Sequence, residues 1–259
     1  MRKLKLRGSN TPSLLSGLFV LFFLAMSLSA SAQIAVLDFR SVPEENIAEF
    51  VERETTYWAE RAKKAVNEGR LISWRLWRRV GGMNMDENSY NFVLVNVFAD
   101  KVALEKMYAT YTAAMASPSQ AAKENDTHQL SKSVSSFVMQ GRAIAEGSKT
   151  GKFVRVNFAK VSDMEKYLAF ETKTWKPFVE DLMKKKKVSC VGWNVATLLT
   201  PGGTTVPFNA ISSDHFDTLG EAIQPTVPEG IKGPDFSGYA ETNERVMIQT
   251  LALVKEVTK

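Results

Sequence analysis

Apolar and polar positions along the chain follow two periods, and the order of those periods repeats. Ala35 to Phe39 is a short apolar run that predicts a strand. Pro43 stands where a helix prefers to begin, and Glu44 and Glu45 suit its first turn. Ile47, Phe50, Val51, Glu54, Trp58, Ala62, Ala65 and Val66 then recur at three- and four-residue steps up to Gly69, which predicts an amphipathic helix. Leu71 to Arg79 alternates Ile72, Trp74 and Leu76 against Ser73, Arg75, Trp77 and Arg79, the period of a half-buried strand. Turn chemistry from Gly81 to Asn88 leads into the strand pattern of Tyr90 to Phe98, so a hairpin is expected. A second helix is expected from Asp100 to Ala116, and Val134 to Ile144 is read as a fourth strand.

After the linker Gly147 to Gly151 the pattern starts again. Phe153 to Phe158 predicts a strand, and Met164, Tyr167, Leu168, Glu171, Trp175, Val179 and Leu182 repeat the helical stripe. Lys184 to Lys187 close that helix with cations at its negative end, a solvated terminus and not a binding patch. Val188 to Leu199 and Phe208 to Phe216 predict a second hairpin across Pro201-Gly202-Gly203. A short helix at Leu219 to Ile223 follows, then a Pro- and Gly-rich stretch from Gln224 to Gly238 that reads as an ordered loop or lid. Val246 to Val257 fits either a strand or a terminal helix. The repeat extends to residue identity: Glu54-Thr-Thr-Tyr-Trp58 returns as Glu171-Thr-Lys-Thr-Trp175, and Tyr90-Asn91 returns as Phe208-Asn209, which sets Asn96 against Asp214.

Each half therefore reads strand, helix, strand, strand, helix, strand. That order, with the repeated Glu-Thr-x-x-Trp, resembles the dimeric α+β barrel superfamily. The resemblance implies an α+β fold of two ferredoxin-like βαββαβ repeats that form an intramolecular pseudo-dimeric barrel, with repeats at residues 33–150 and 151–259. It also implies a range of activities: haem-dependent and cofactor-free oxygenases, peroxidase-like haem proteins and enzymes of small aromatic compounds. No catalytic motif of that superfamily matches here, so no residue role is carried over.

Composition changes the picture mainly at the N-terminus. Arg2, Lys3, Lys5 and Arg7 precede an apolar run from Leu14 to Leu28 that ends in Ala30-Ser31-Ala32, the pattern of a cleaved export signal over residues 1–32. A periplasmic or extracellular location is expected, without stable membrane insertion after cleavage. Those 32 residues carry four basic and no acidic side chains, which leaves 29 basic and 28 acidic ones in the remainder. Such a balanced remainder gives no support to nucleic-acid binding. Cys190 is the single cysteine, so no intramolecular disulfide can form. A monomer or a homodimer fits equally well.

Candidate chemistry is sparse. Glu54 and Glu171 lie in the apolar stripes of their helices, four residues before a tryptophan. Burial there would raise their pKa and suit a general base, although duplication favours a structural hydrogen-bonding role. Trp77 shares a strand face with Arg75 and Arg79, and if that face looks into the barrel it offers an aromatic floor with cationic walls. Asn96, Arg155, Asn157, Asn194 and Asp214 fall at alternating strand positions and are expected to face the same interior, where they would line a ligand site. One cysteine and two separated histidines, His128 and His215, leave no metal cluster. No cofactor is predicted, though axial haem ligation by His215 stays open.

Three readings follow. The first is an exported protein that binds a small hydrophobic or aromatic ligand in a barrel between its repeats. The second is an oxygenase-like or haem-using enzyme of the same fold, with Glu54 or Glu171 as base or His215 as ligand. The third is a structural or interaction module without a ligand.

Overall fold

The computed structural model describes residues 33–81, 89–201, 206–226, 229–241 and 243–259, apart from the side chain of Met115. The expected export signal, most of the first hairpin loop and the Gly202-Gly203 turn lie outside the described residues. The strands are β1 (Ile34–Ser41), β2 (Ser73–Arg79), β3 (Phe92–Phe98), β4 (Lys132–Ile144), β5 (Phe153–Val161), β6 (Cys190–Thr200), β7 (Ala210–Phe216) and β8 (Asn243–Thr258). The stretch that fitted either strand or helix is thus the long strand β8.

A long helix α1 follows β1. It consists of Ile47–Arg53, a π-helical turn at Glu54–Trp58, and Ala59–Asn67. Helices α2 (Lys101–Ala116) and α3 (Gln120–Glu124) lie between β3 and β4. In the second half α4 has the same construction as α1: Met164–Phe170, a π-helical turn at Glu171–Trp175, then Lys176–Lys184. Short helices α5 (Leu219–Ile223) and α6 (Ser237–Ala240) precede β8. Side-chain caps fix several starts: Asp100 accepts from the Ala103 amide at 2.8 Å, and Asp163 from the Lys166 amide at 3.0 Å.

The strands close into one antiparallel barrel within a single chain, in the order β4-β1-β3-β2-β8-β5-β7-β6 and back to β4. Each half contributes its strands in the same sequence, and the halves join where β2 pairs with β8 and β4 with β6. One detail ties the duplicated residues together. The Asn91 amide receives the Val42 N–H at 2.9 Å and donates to the Val42 carbonyl at 2.7 Å. Asn209 does the same to Val161, at 2.7 and 2.8 Å. Each asparagine therefore ties the start of a hairpin's second strand to the end of its half's first strand.

Successive strand residues point to opposite faces, and the two faces here have different company. The inner face carries Leu37, Phe39, Trp77, Val93, Phe137, Met139, Val156, Phe158, Phe208 and Leu251, all buried in one cluster that fills the barrel. Phe137 meets Phe208 with ring centroids 4.9 Å apart, and Phe158 meets the same ring at 4.9 Å. The outer face packs under the helices in two further clusters. Phe50, Ala62, Val66, Trp74 and Phe92 form the one beneath α1. Tyr167, Val179, Trp193, Val195 and Ala210 form the one beneath α4.

This arrangement corrects the expectation of a polar, ligand-filled interior. Burying one such apolar side chain is worth about 1.5–3 kcal/mol, whereas an unpartnered polar group costs about 1–3 kcal/mol, so an interior shared by both halves favours hydrocarbon. Asn96 stands opposite Val36 and Trp74, which pack beneath α1, and so points to the helix side. Arg155, Asn157 and Asp214 also face helices, on the α4 side. Trp77, Arg75 and Asn194 share the inner face. Trp77 is only 3% exposed, and Arg75 is tied by its Nε to Glu256 at 2.7 Å and by Nη2 to Thr150 at 3.2 Å. The guanidinium of Arg79 lies over Tyr90, 5.3 Å from the ring centre, and supplies no wall around Trp77.

Candidate functional site

The repeated Glu-Thr-x-x-Trp is a π-helical turn in both halves. Its threonine supplies a local reason. The Thr55 hydroxyl donates to the Val51 carbonyl at 2.7 Å, and the Thr172 hydroxyl to the Leu168 carbonyl at 2.6 Å. Back-bonding of this kind competes with the helix's own N–H for the carbonyl four residues earlier and bends the helix. The widened turn directs Glu54 and Glu171 at the sheet, where each is 3% exposed. Such turns are frequent at functional sites.

Around Glu54 the space is filled. Thr127 donates to its Oε1 at 2.7 Å. Beside it lies Arg40, itself 3% exposed. The Arg40 guanidinium binds Asp38 Oδ2 at 3.1 Å, Ser131 Oγ at 2.6 Å and His128 Nδ1 at 3.0 Å. The indole of Trp58 donates to the Asn125 carbonyl at 2.8 Å, which holds the segment after α3 against α1. Burial pushes the Glu54 carboxyl up to about 7, against the lowering effects of the Thr127 hydrogen bond and the Arg40 charge.

Around Glu171 the same position is hollow. A cavity of about 390 Å³ lies between α4 and the outer face of β5 and β7, and the segment leading into β8 closes it from the side. The strand registers show where the room comes from. Phe39 pairs with Val93 in the first half as Phe158 pairs with Ile211 in the second, so Arg40 corresponds to Ala159 and Leu94 to Ser212. A buried arginine and a leucine are replaced by two small side chains. Trp175, Phe178 and Phe236 provide the walls, with Trp175 centred 5.5 Å from each of the other two. Tyr239 stacks on Tyr167 at 5.5 Å and 22°.

Polar groups enter this cavity from two sides. From the helix comes Glu171, whose Oε1 accepts from the Tyr239 hydroxyl at 2.7 Å while Oε2, equally buried, has no partner among the described residues. Burial pushes its carboxyl up to about 7, against the lowering effects of the Tyr239 and Tyr167 hydroxyls. The same burial drives both tyrosines well above the ordinary phenol range. From the sheet come Arg155, Asn157, Ser212, Asp214 and, on β8, Arg245. Asn157 donates to Asp214 Oδ2 at 3.3 Å. Burial raises the Asp214 carboxyl to about 6, and Arg155 is the strongest opposing influence.

Three of the sequence candidates, Arg155, Asn157 and Asp214, thus meet at one cavity with Glu171, but outside the barrel. Trp77, Arg75, Asn96 and Asn194 are elsewhere. His215 lies in the barrel interior, 6.1 Å from the Trp77 ring, and its Nε2 is bonded to Asn194 at 3.2 Å. Burial lowers its pKa to about 4. Nδ1 has no partner among the described residues, but the ring is enclosed in the barrel interior that the apolar cluster fills, a setting that does not fit a haem beside it. Among the described residues no group of three His, Cys, Asp or Glu side chains could hold a metal ion. No described helix is long and apolar enough to cross a membrane.

Sequence reasoning missed Tyr239, Phe236 and Arg245, because the stretch that carries the first two has no period and β8 was left open. It placed Trp175 in the helical stripe and did not single out Phe178, and only the small residues facing them, Ala159 and Ser212, distinguish a cavity wall from a core.

No family model matches the sequence, and no curated protein matches it. Solved structures do. The chain is similar to a candidate monooxygenase of Lactobacillus acidophilus at 12% identity, with a TM-score of 0.56 over 88% of this chain and 96% of that one. A candidate monooxygenase of Fusobacterium nucleatum matches at 12% identity and a TM-score of 0.52 over 88% and 95% of the two chains. An anthrone oxidase-like protein matches at 15% identity and 0.50, over 89% and 94%. These neighbours are dimeric α+β barrel proteins, and the mixed α+β fold with its eight-stranded antiparallel barrel is the one this chain shares with them.

Proposed function

We propose that this protein binds a small, flat aromatic molecule in the cavity beneath α4, in the second half of the chain. The observation that carries the reading is the hollow itself. About 390 Å³ is walled by Trp175, Phe178 and Phe236, while the corresponding space of the first half is occupied by Arg40. Aromatic walls favour stacked or edge-on rings, and a few polar groups at the helix and sheet sides would fix orientation. Isothermal titration with 2-naphthol tests it. Saturable binding of one molecule per chain is expected, lost in Ser212→Leu, which copies the first half, and kept in Asn194→Ala, inside the barrel. Absence of saturable heat, or unchanged binding in Ser212→Leu, would count against the reading.

The scaffold is read as two ferredoxin-like repeats, residues 33–150 and 151–259, which is supported by the repeated strand order and by the Asn91 and Asn209 clamps. Export directed by residues 1–32 remains part of the proposal on its sequence pattern. N-terminal sequencing of the chain recovered outside the cytoplasm would test it, and retention of Met1 there would contradict cleavage.

An oxygenase-like enzyme of the same fold is the second reading. It draws its substrate class from the anthrone oxidase-like neighbour and has Glu171 available as a base. Oxygen uptake with anthrone, above the rate in buffer and absent in Glu171→Gln, is its expected signature.

A further inference from the structure

The geometry points to Glu171 as a general base that removes a proton from a carbon next to the carbonyl of a flat aromatic ketone bound in this cavity, a proton-transfer activity that needs no oxidant. The proposal rests on the aromatic-cavity reading and adds a reaction to it. Its starting point is the second oxygen of Glu171. Oε1 is held by Tyr239, so the carboxylate cannot swing freely, and Oε2 is left buried and unpartnered among the described residues at the wall of the cavity. A buried acceptor without a donor costs free energy unless something else supplies one; the Tyr167 hydroxyl also acts on this carboxyl, and a ligand in the cavity can supply a further partner. The glutamate of the first half has no such vacancy beside a hollow, because Thr127 and Arg40 enclose it.

The opposite side of the cavity decides which ligand. Arg155 and Arg245 line the sheet side, across from the helix that carries Glu171, together with the buried Asp214, whose charge they oppose and which also raises Glu171. An oxygen that gains negative charge would find guanidinium groups there, and stabilising charge where it develops is the largest recurring contribution to this kind of catalysis. A base on one side and two guanidinium groups against a single carboxyl on the other suit enolisation. The ligand's C–H bond breaks, its proton goes to Glu171 Oε2, and its electron pair moves into the enolate, whose oxygen faces the arginines. Return of the proton restores the ketone or, at a different carbon, yields its isomer, so atoms and electrons balance without a co-reactant. Burial also places Glu171 at about 7, where a base is partly free at neutral pH and still strong enough to take a proton.

The test uses the full chain and 2-tetralone, an aromatic bicyclic ketone whose benzylic C–H beside the carbonyl exchanges with deuterium in heavy water. Exchange is followed by NMR and binding by tryptophan fluorescence. Wild type is expected to bind and to accelerate exchange about 100-fold or more over buffer, the usual scale of a positioned base. Glu171→Gln is expected to bind within about threefold of wild type and to lose the acceleration. The wild-type rate should rise with pH through about 7 as Glu171 loses its proton. Tyr239→Phe, which removes a hydrogen bond to the ionised form, should move that midpoint upward. Binding without accelerated exchange, exchange that survives in Glu171→Gln, or a pH-independent rate would each overturn the base while leaving the binding site standing. Failure of 2-tetralone to bind wild type would overturn both.

Discussion

The two halves carry the same π-helical turn and a glutamate buried to the same 3% exposure, yet they use it differently. In the first half the carboxylate is enclosed by Thr127 and by Arg40, whose guanidinium also holds Asp38, Ser131 and His128. In the second half the place of Arg40 is taken by Ala159, and the carboxylate looks across a cavity with one oxygen unclaimed. A duplicated scaffold can thus keep one copy solid and let the other carry a site. The difference is made by side-chain volume at two strand positions, while the backbone frame is shared.

Removing the plug should have the largest effect. Arg40→Ala leaves Asp38 and Glu54 without their cation in a buried setting, and we expect a loss of about 3–5 kcal/mol in denaturant unfolding, the usual cost of breaking a buried charge network. A loss below about 1 kcal/mol would mean that Arg40 is not what keeps the first half solid.

The shared frame predicts equality. Asn91→Ala and Asn209→Ala each remove two hydrogen bonds to the backbone. At roughly 1 kcal/mol per bond, each should cost about 2 kcal/mol, and the two costs should agree within about 0.5 kcal/mol. Clearly unequal costs would break the claim that the scaffold is the same in both halves.

The smallest effect is one of pH, and the two glutamates share it. Burial raises Glu171 from the ordinary 4.5 to about 7, so the folded chain keeps a proton that the unfolded chain has released. Stability from this group is therefore full below about 4.5 and falls as pH rises through about 7. Glu171→Gln removes that penalty and should stabilise by about 1–2 kcal/mol at pH 8 and hardly at all at pH 4.5. Burial raises Glu54 to about 7 as well, with the pull of Arg40 already opposing it, so Glu54→Gln should show a gain in the same pH window. Thermal melts of both variants at the two pH values check this, and a gain confined to one variant would show that the two buried carboxyls are not equivalent.

Much of this frame could be read from the sequence. The strand and helix periods, the repeated Glu-Thr-x-x-Trp and the Asn91–Asn209 match point to the duplicated barrel, and the structure realises that order as one closed sheet. The site was only partly legible. Alternation along a strand assigns residues to two faces but does not say which face is inside, so Arg155, Asn157 and Asp214 were grouped correctly with one another and assigned to the wrong side of the sheet. In a closed barrel both faces are buried, one by the opposite strands and one by helices, and the usual polar-outside rule loses its force. The hollow depends on Ala159 and Ser212 facing Trp175 across space, and Tyr239 and Phe236 arrive from an aperiodic segment. Those are tertiary facts with no local signature.

The central claim is that the second half alone holds the ligand site. A crystal structure of the chain with 2-naphthol tests it most directly. The account predicts the ring system between α4 and β5, against Trp175 and Phe236, with its hydroxyl at Glu171 Oε2. Density within the barrel beside Trp77, or beneath α1 near Glu54, would contradict it.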